Sequence, residues 1–117
     1  MNVEDVEFKA KIVQSILSND AGKALDSLGE YYDISAPKLK VGLPKGHISV
    51  AGCYVPMKRT IFTKNSEGLS NPFLILHEFY HHLRSVDGKH KGNEKLADKF
   101  ARDYLNAYKS FFGIYQP

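Results

Sequence analysis

The sequence predicts an α+β fold with N-terminal helices, a small three-stranded twisted sheet, an active-site helix and a last helix that carries a glutamate. Apolar residues recur at helical spacing near the N-terminus and again after residue 71. The middle of the chain instead has short β-branched and aromatic runs between glycines and prolines. With 117 residues, the chain is long enough for one core, so we expect residues 1–117 to form a single domain.

Two helices are predicted at the N-terminal end. Residues 3–18 have apolar side chains at a spacing of roughly 3.6. The main members of this stripe are Val6, Val13, Ile16 and Leu17, with Phe8 and Ile12 beside them. The segment Asn19-Asp20-Ala21-Gly22 interrupts the pattern, which then continues to about Tyr32. We therefore expect a break or bend between the two helical segments.

Three short runs predict the strands of the sheet, at residues 39–43, 48–55 and 60–63. They are rich in β-branched and aromatic residues, which favour extended structure. Turn-forming residues lie within and between these runs: Gly42, Pro44, Gly46, Gly52 and Pro56.

Two helices are predicted in the last third of the chain. Asn71 can cap the first of them, and Pro72 suits its first position because that N–H would have no partner. This helix should end near Val86, before Asp87-Gly88. After a polar loop, Asn93 can cap a helix over residues 94–112.

Composition narrows the classes of protein to consider. Cys53 is the single cysteine, which excludes an internal disulfide framework and favours a reducing, cytoplasmic setting. The first residues lack the pattern of a signal peptide. The sequence contains no run of 18 apolar residues, so we expect no membrane insertion.

One stretch of the chain is basic. No acidic residue lies between Asp33 and Glu67, although the net charge of the protein is only +3. The stretch is either a solvated basic face or a surface that prefers acidic partners. Nucleic-acid binding is not favoured, because neither a Lys/Arg-rich helix nor a Gly-aromatic sheet motif is evident.

The sequence H-E-F-Y-H-H, residues 77–82, predicts a metal site. Four-residue spacing puts His77 and His81 on one helix face, where both can bind one tetrahedral zinc ion. Glu78 borders that face and can act as general base towards a water molecule. The other interpretation is a core helix whose histidines form internal hydrogen bonds. His82 points away from His81 and has no assigned role, and His47 and His90 are expected to be solvated.

Glu94 is the predicted third ligand, thirteen residues after His81. Asp98 shares its helix face and lies one turn further on, within reach of the second nitrogen of a ligand histidine. Ala97 and Ala101 lie on this face too, and small side chains permit a close approach to the helix that carries His77 and His81. Alternatively, the two acids only complement the helix dipole.

These motifs carry a family likeness. H-E-F-Y-H at 77–81 followed by E-K-L-A-D at 94–98 resembles the paired motifs of the gluzincin zinc peptidases. The stretch A-G-C-Y-V-P-M-K-R-T-I-F-T, residues 51–63, resembles the strand pair of small gluzincins of the ImmA/IrrE type. At this length the chain is most similar to the minigluzincins, single-domain soluble proteases akin to the catalytic cores of membrane-embedded gluzincin peptidases. The likeness covers roughly residues 39–112.

The resemblance implies a role for each residue that matches the family motifs. His77, His81 and Glu94 would bind zinc, Glu78 would be the base and Asp98 would orient His77. An edge strand would bind the peptide or protein substrate by strand addition. The residues expected to do so are Ile48, Val50, Gly52 and Tyr54. The residue that stabilises the oxyanion stays open among Tyr54, His82, Tyr104 and Tyr108.

The implied function is that of a zinc-dependent endopeptidase. Small members of the family can be latent. The aromatic tail over residues 111–117 either docks on the core or blocks the cleft of its own molecule or, through self-association, of another. Deleting residues 113–117 should then raise activity. The alternative function is a zinc-binding regulatory or interaction module with little hydrolytic activity.

Overall fold

The computed structural model describes residues 3–47, 50–85 and 92–113, and it confirms the α+β prediction. Two N-terminal helices precede a three-stranded mixed sheet and two helices that pack together. The elements are α1 Val3–Leu17, α2 Ala21–Tyr32, β1 Lys38–Val41, β2 Gly52–Val55, β3 Thr60–Thr63, α3 Pro72–Arg84 and α4 Glu94–Phe112. Short 3₁₀ turns, Pro56–Lys58 and Ser66–Ser70, follow β2 and β3.

The break between the first two helices lies where the sequence predicts it. Asn19 takes a left-handed conformation with φ of 64°, and α2 begins two residues later at Ala21. The buried side of α1 differs from the predicted stripe at one end, because Leu17 in the last turn is 46% exposed. Ile12, Val13 and Ile16 are buried in the core as predicted, and Ala10 joins them there.

The sheet has the order β1-β3-β2, with β3 parallel to β1 and antiparallel to β2. All four residues of β3 are buried, as expected of the central strand. β2 lies at an edge, with Tyr54 opposite Ile61 and Gly52 opposite Thr63. It begins at Gly52, later than the predicted residue 48, and Ile48 lies outside the described residues.

The core is formed where the helices pack together and against one face of the sheet. Its largest buried side chains come from five elements: Ile16, Leu25, Leu28, Ile61, Ile75, Leu76, Phe79 and Tyr104. None of the helices in the described ranges combines the length and hydrophobicity needed to span a membrane. The single domain and the cytoplasmic setting stay predictions.

Candidate metal centre

Helix α3 carries the H-E-x-x-H motif and is fixed in orientation by its ends and its buried side. The Asn71 side chain accepts a hydrogen bond from the backbone N–H of Leu74 at 3.2 Å, as predicted for the cap. Leu76 and Phe79 are fully buried. This anchoring places His77 and His81 at the margin of the core, where each side chain is only 13% exposed.

Helix α4 brings the predicted third ligand to the same place. The Asn93 side chain accepts a hydrogen bond from the N–H of Leu96 at 2.8 Å, so Glu94 occupies the first turn of the helix. Ala97 and Ala101 are completely buried, and α4 packs against α3. Small side chains at these positions permit the close approach that the sequence predicts.

Two imidazoles and one carboxylate converge between these helices. The Nε2 atoms of His77 and His81 lie 3.3 Å apart. Glu94 places Oε2 3.0 Å from Nε2 of His77 and Oε1 2.6 Å from Nε2 of His81. These are the residues that the sequence predicts as metal ligands, drawn together from positions up to 17 residues apart.

Asp98 contacts the other nitrogen of the first histidine. The Nδ1–H of His77 donates to Oδ1 of Asp98 at 2.9 Å. A neutral imidazole with its proton on Nδ1 has a lone pair on Nε2. That lone pair faces the Glu94 carboxylate, so the two electron-rich groups repel each other unless a proton or metal ion lies between them. The donor set therefore fits a metal ion.

Glu78 lies beside this group but in a different environment. One ligand atom each from His77, Glu78 and His81 lies within 4.8 Å of the others, so these residues alone form a group that could hold a metal. The Glu78 side chain is 7% exposed, and burial raises its pKa to about 7. Nearby His77 lowers the pKa and Glu94 raises it. A carboxyl group with a pKa near neutrality suits a general base.

Glu94 contacts both histidines of this group directly. Glu94 approaches both Nε2 atoms to 3.0 Å or less. The Glu78 carboxyl lies beside these groups, and Glu78 lines the adjoining cleft.

A cleft of about 360 Å³ opens beside the centre, and edge strand β2 forms its other wall. Its lining residues are Val50, Gly52, Cys53, Tyr54, Pro56, Glu78, His81 and Glu94. Three of the four residues expected to bind substrate, Val50, Gly52 and Tyr54, are therefore in the cleft. The fourth, Ile48, lies outside the described residues. Cys53 of β2 and Pro56, the first residue of the turn after β2, are not among the predicted residues but also line the cleft.

His82 points away from the cleft and into the fold. It is 1% exposed, and its Nε2–H donates to the backbone carbonyl of Ser35 at 2.8 Å. Its Nδ1 lies 2.7 Å from the hydroxyl of Tyr54. Burial lowers the pKa of His82, which favours the neutral ring. Because a carbonyl only accepts, the proton is on Nε2, and the Tyr54 hydroxyl donates to Nδ1.

Tyr104 and Tyr108 are two of the four candidates for stabilising the oxyanion. Neither residue lines the cleft. Tyr104 is 1% exposed, and its hydroxyl lies 2.6 Å from that of Tyr32. Along α4, these tyrosines follow Glu94 by roughly 15 and 21 Å, at 1.5 Å per residue. His47 is exposed as predicted, whereas His90 and tail residues 114–117 lie outside the described residues.

Comparison of the chain with protein-family models, with curated proteins and with solved structures finds no match.

Proposed function

We propose that this protein is a zinc-dependent endopeptidase of the gluzincin type. The observation that carries the proposal is the convergence of His77, His81 and Glu94 at a cleft that also contains Glu78 and an edge strand. Tetrahedral ligands roughly 2.0–2.1 Å from zinc lie about 3.3 Å from one another. The two Nε2 atoms are 3.3 Å apart, which supports this coordination.

Zinc fits the donor set better than the common alkaline-earth cations. Two imidazole nitrogens and a carboxylate are a combination that catalytic zinc sites use, whereas Ca²⁺ and Mg²⁺ prefer oxygen ligands. When bound, zinc supplies the Lewis acidity that activates water and polarises a carbonyl group. The remaining steps belong to side chains of this chain.

Glu78 moves the proton. Its carboxylate accepts a proton from the attacking water as the new C–O bond forms. It then gives that proton to the amide nitrogen as the C–N bond breaks, which returns Glu78 to its starting state. Asp98 holds His77 in the orientation and tautomer that leave Nε2 free for the metal.

Strand β2 is proposed to hold the substrate. It pairs with β3 on one side only, and no strand covers its other side in the described part of the chain. An extended peptide can add to such an edge through backbone hydrogen bonds. Val50, Gly52 and Tyr54 all line the cleft and would then lie along the peptide.

The test is a peptide-library cleavage assay with zinc present, with zinc removed, and with Glu78→Gln. We expect zinc-dependent cleavage by the parent protein and a loss of roughly a hundredfold or more in Glu78→Gln. Glu67→Gln is the matched control, because Glu67 is an exposed residue of the turn at Ser66–Ser70. Zinc content must be measured in each variant, so that lost chemistry is separated from lost metal.

The alternative is a zinc-binding regulatory or interaction module. It predicts full zinc occupancy and equal inactivity of the parent protein and Glu78→Gln. The tail could block the cleft, so the parent protein and Glu78→Gln are also assayed as shortened chains that end at Gly113. Ending there keeps Gly113 as the left-handed cap of α4. Equal inactivity of the shortened pair at full zinc occupancy would contradict the peptidase proposal.

A further inference from the structure

The position of strand β2 determines where a peptide would lie relative to the metal centre. This strand has only four residues, and among the described residues β3 is the one strand that pairs with it. A short edge strand joined on one side is free to shift unless side chains hold it. Tyr54 provides such a contact, because its hydroxyl bonds to a buried histidine of α3.

Three segments are joined by this contact. Tyr54 of β2 donates to Nδ1 of His82 on α3, and Nε2–H of His82 donates to the carbonyl of Ser35, between α2 and β1. Both ring nitrogens are therefore occupied in a residue that is 1% exposed. The ring cannot rotate without breaking both hydrogen bonds inside the protein, where unpaired polar groups are costly.

The anchor lies next to the proposed catalytic groups. His82 directly follows the ligand His81, and it is one helical turn after Glu78. A single turn of α3 thus carries the base, a ligand and the residue that holds the edge strand. The distance from strand to base is then set by one rigid element.

We propose that His82 is a positioning residue, which acts through Tyr54 to fix β2 and thereby align an extended peptide with the metal centre. The proposal rests on the peptidase function proposed above. It also gives Tyr54 a different role from that of an oxyanion donor, because its proton is committed to His82. The Tyr54 ring still lines the cleft, where it would contact the substrate.

The first test separates KM from kcat, with fluorescein-labelled casein as substrate. Tyr54→Phe keeps the ring and removes the hydroxyl that bonds to His82. His82→Gln keeps a donor for Ser35 but has no acceptor atom at the position of Nδ1. Each should raise KM by about tenfold, with zinc affinity unchanged and the double variant no worse than either single one. A purely structural role predicts less folded protein with unchanged KM.

The control is Tyr104→Phe. It removes a comparable buried contact between hydroxyl groups, with Tyr32 at 2.6 Å, and Tyr104 does not line the cleft. We expect it to destabilise the protein to a similar degree and to leave KM unchanged. An equal rise of KM in Tyr104→Phe would overturn the proposal.

A second measurement needs no enzymatic activity. Cys53 is the only cysteine and lies in β2 between Gly52 and Tyr54, so its rate of labelling by N-ethylmaleimide reports on this strand. In zinc-loaded protein, Tyr54→Phe and His82→Gln should label about fivefold faster than the parent, and Tyr104→Phe should not.

The two measurements separate the two proposals. If the chain ending at Gly113 cleaves nothing at full zinc occupancy but labelling accelerates as expected, the peptidase function fails and the anchoring of β2 by His82 stands. If the parent protein is active while both KM and the labelling rate are unchanged in Tyr54→Phe, the positioning role fails and the peptidase function stands.

Discussion

Glu78 is buried at the edge of the cleft, whereas its proposed role as a base requires the charged carboxylate. Because its folded pKa is about 7, above the ordinary value of 4.5, the folded state keeps a proton that the unfolded state loses. The associated stability is present below pH 4.5 and is lost as the pH rises through 7. The charged carboxylate should therefore destabilise the metal-free protein at pH 8 by about 3 kcal/mol.

We predict that Glu78→Gln is more stable than the parent protein at pH 8 when zinc is removed. The difference should be about 3 kcal/mol at pH 8 and under about 1 kcal/mol at pH 5, where the folded parent is protonated. Urea unfolding in the presence of a chelator measures it, with Glu67→Gln as the exposed control. A difference that does not change between the two pH values would contradict burial as the cause of the raised pKa.

Asp98 is expected to strengthen metal binding without contacting the metal. Its carboxylate accepts from Nδ1 of His77 at 2.9 Å, and its side chain is 40% exposed. Losing such a partner typically weakens zinc binding by 10–100-fold. Because solvent screens this exposed carboxylate, we predict that Asp98→Asn weakens zinc binding by about tenfold.

Zinc affinity is measured by competition with a chromophoric chelator. Asp103→Asn is a matched control, because Asp103 is on the same helix, is 42% exposed in its side chain and pairs with Lys99. Equal zinc affinities for Asp98→Asn and the parent protein would contradict this supporting role of Asp98 and favour the alternative, in which it only complements the helix dipole.

At the scale of elements, the close contact of β2 with α3 depends on a glycine. A Cβ atom added to Gly52 would lie 2.8 Å from the carbonyl oxygen of Phe62 and 3.0 Å from Cδ1 of Leu74. Backbone on one side leaves little room to adjust, so the strand must shift away. We predict that Gly52→Ala costs about 1–3 kcal/mol in unfolding free energy and lowers cleavage activity more than stability alone explains.

Gly22→Ala is the control for this variant. Gly22 lies in α2, and nothing is within 4 Å of its added Cβ. Alanine there should be neutral or stabilising by up to about 1 kcal/mol, since it favours helix. Chemical unfolding and peptide cleavage are measured for both variants. If Gly52→Ala matched Gly22→Ala in both, the close packing of β2 would be unimportant.

The elements differ in how far local sequence determines them. Asn71 and Asn93 cap α3 and α4 as predicted, and β3 has its predicted bounds. Patterns within a few residues suffice for these features. Strand β2 is shorter than predicted because its apolar composition does not reveal where the pairing with β3 begins, at Gly52.

The candidate site shows the same division. The group of His77, Glu78 and His81 follows from helical spacing, and the approach of Glu94 follows from an alanine-lined helix face. The anchoring of His82 could not be predicted, because its partners Tyr54 and Ser35 are 28 and 47 residues away. No spacing rule connects them, so their contact appears only once the sheet is packed on α3.

Across the whole molecule, a bound metal would join two helices that the chain connects through residues 85–93. His77 and His81 belong to α3, and Glu94 begins α4. The unfolded chain does not hold these three residues together, so zinc should bind the folded state preferentially. Folding and metal binding are then linked, and zinc raises the stability by an amount set by its concentration.

We predict that zinc at a hundred times its dissociation constant stabilises the protein by about 2.7 kcal/mol. With an unfolding entropy of roughly 2.1 cal/mol/K per residue, this corresponds to a rise in Tm of about 10 °C for 117 residues. Thermal unfolding with and without zinc measures it, and Mg²⁺ should cause no comparable shift because it prefers oxygen ligands.

His77→Asn should abolish the zinc-dependent rise, whereas His47→Asn, at an exposed histidine, should keep it. An equal rise in both variants would mean that zinc binds elsewhere, and no rise in the parent protein would contradict the proposed ligand set.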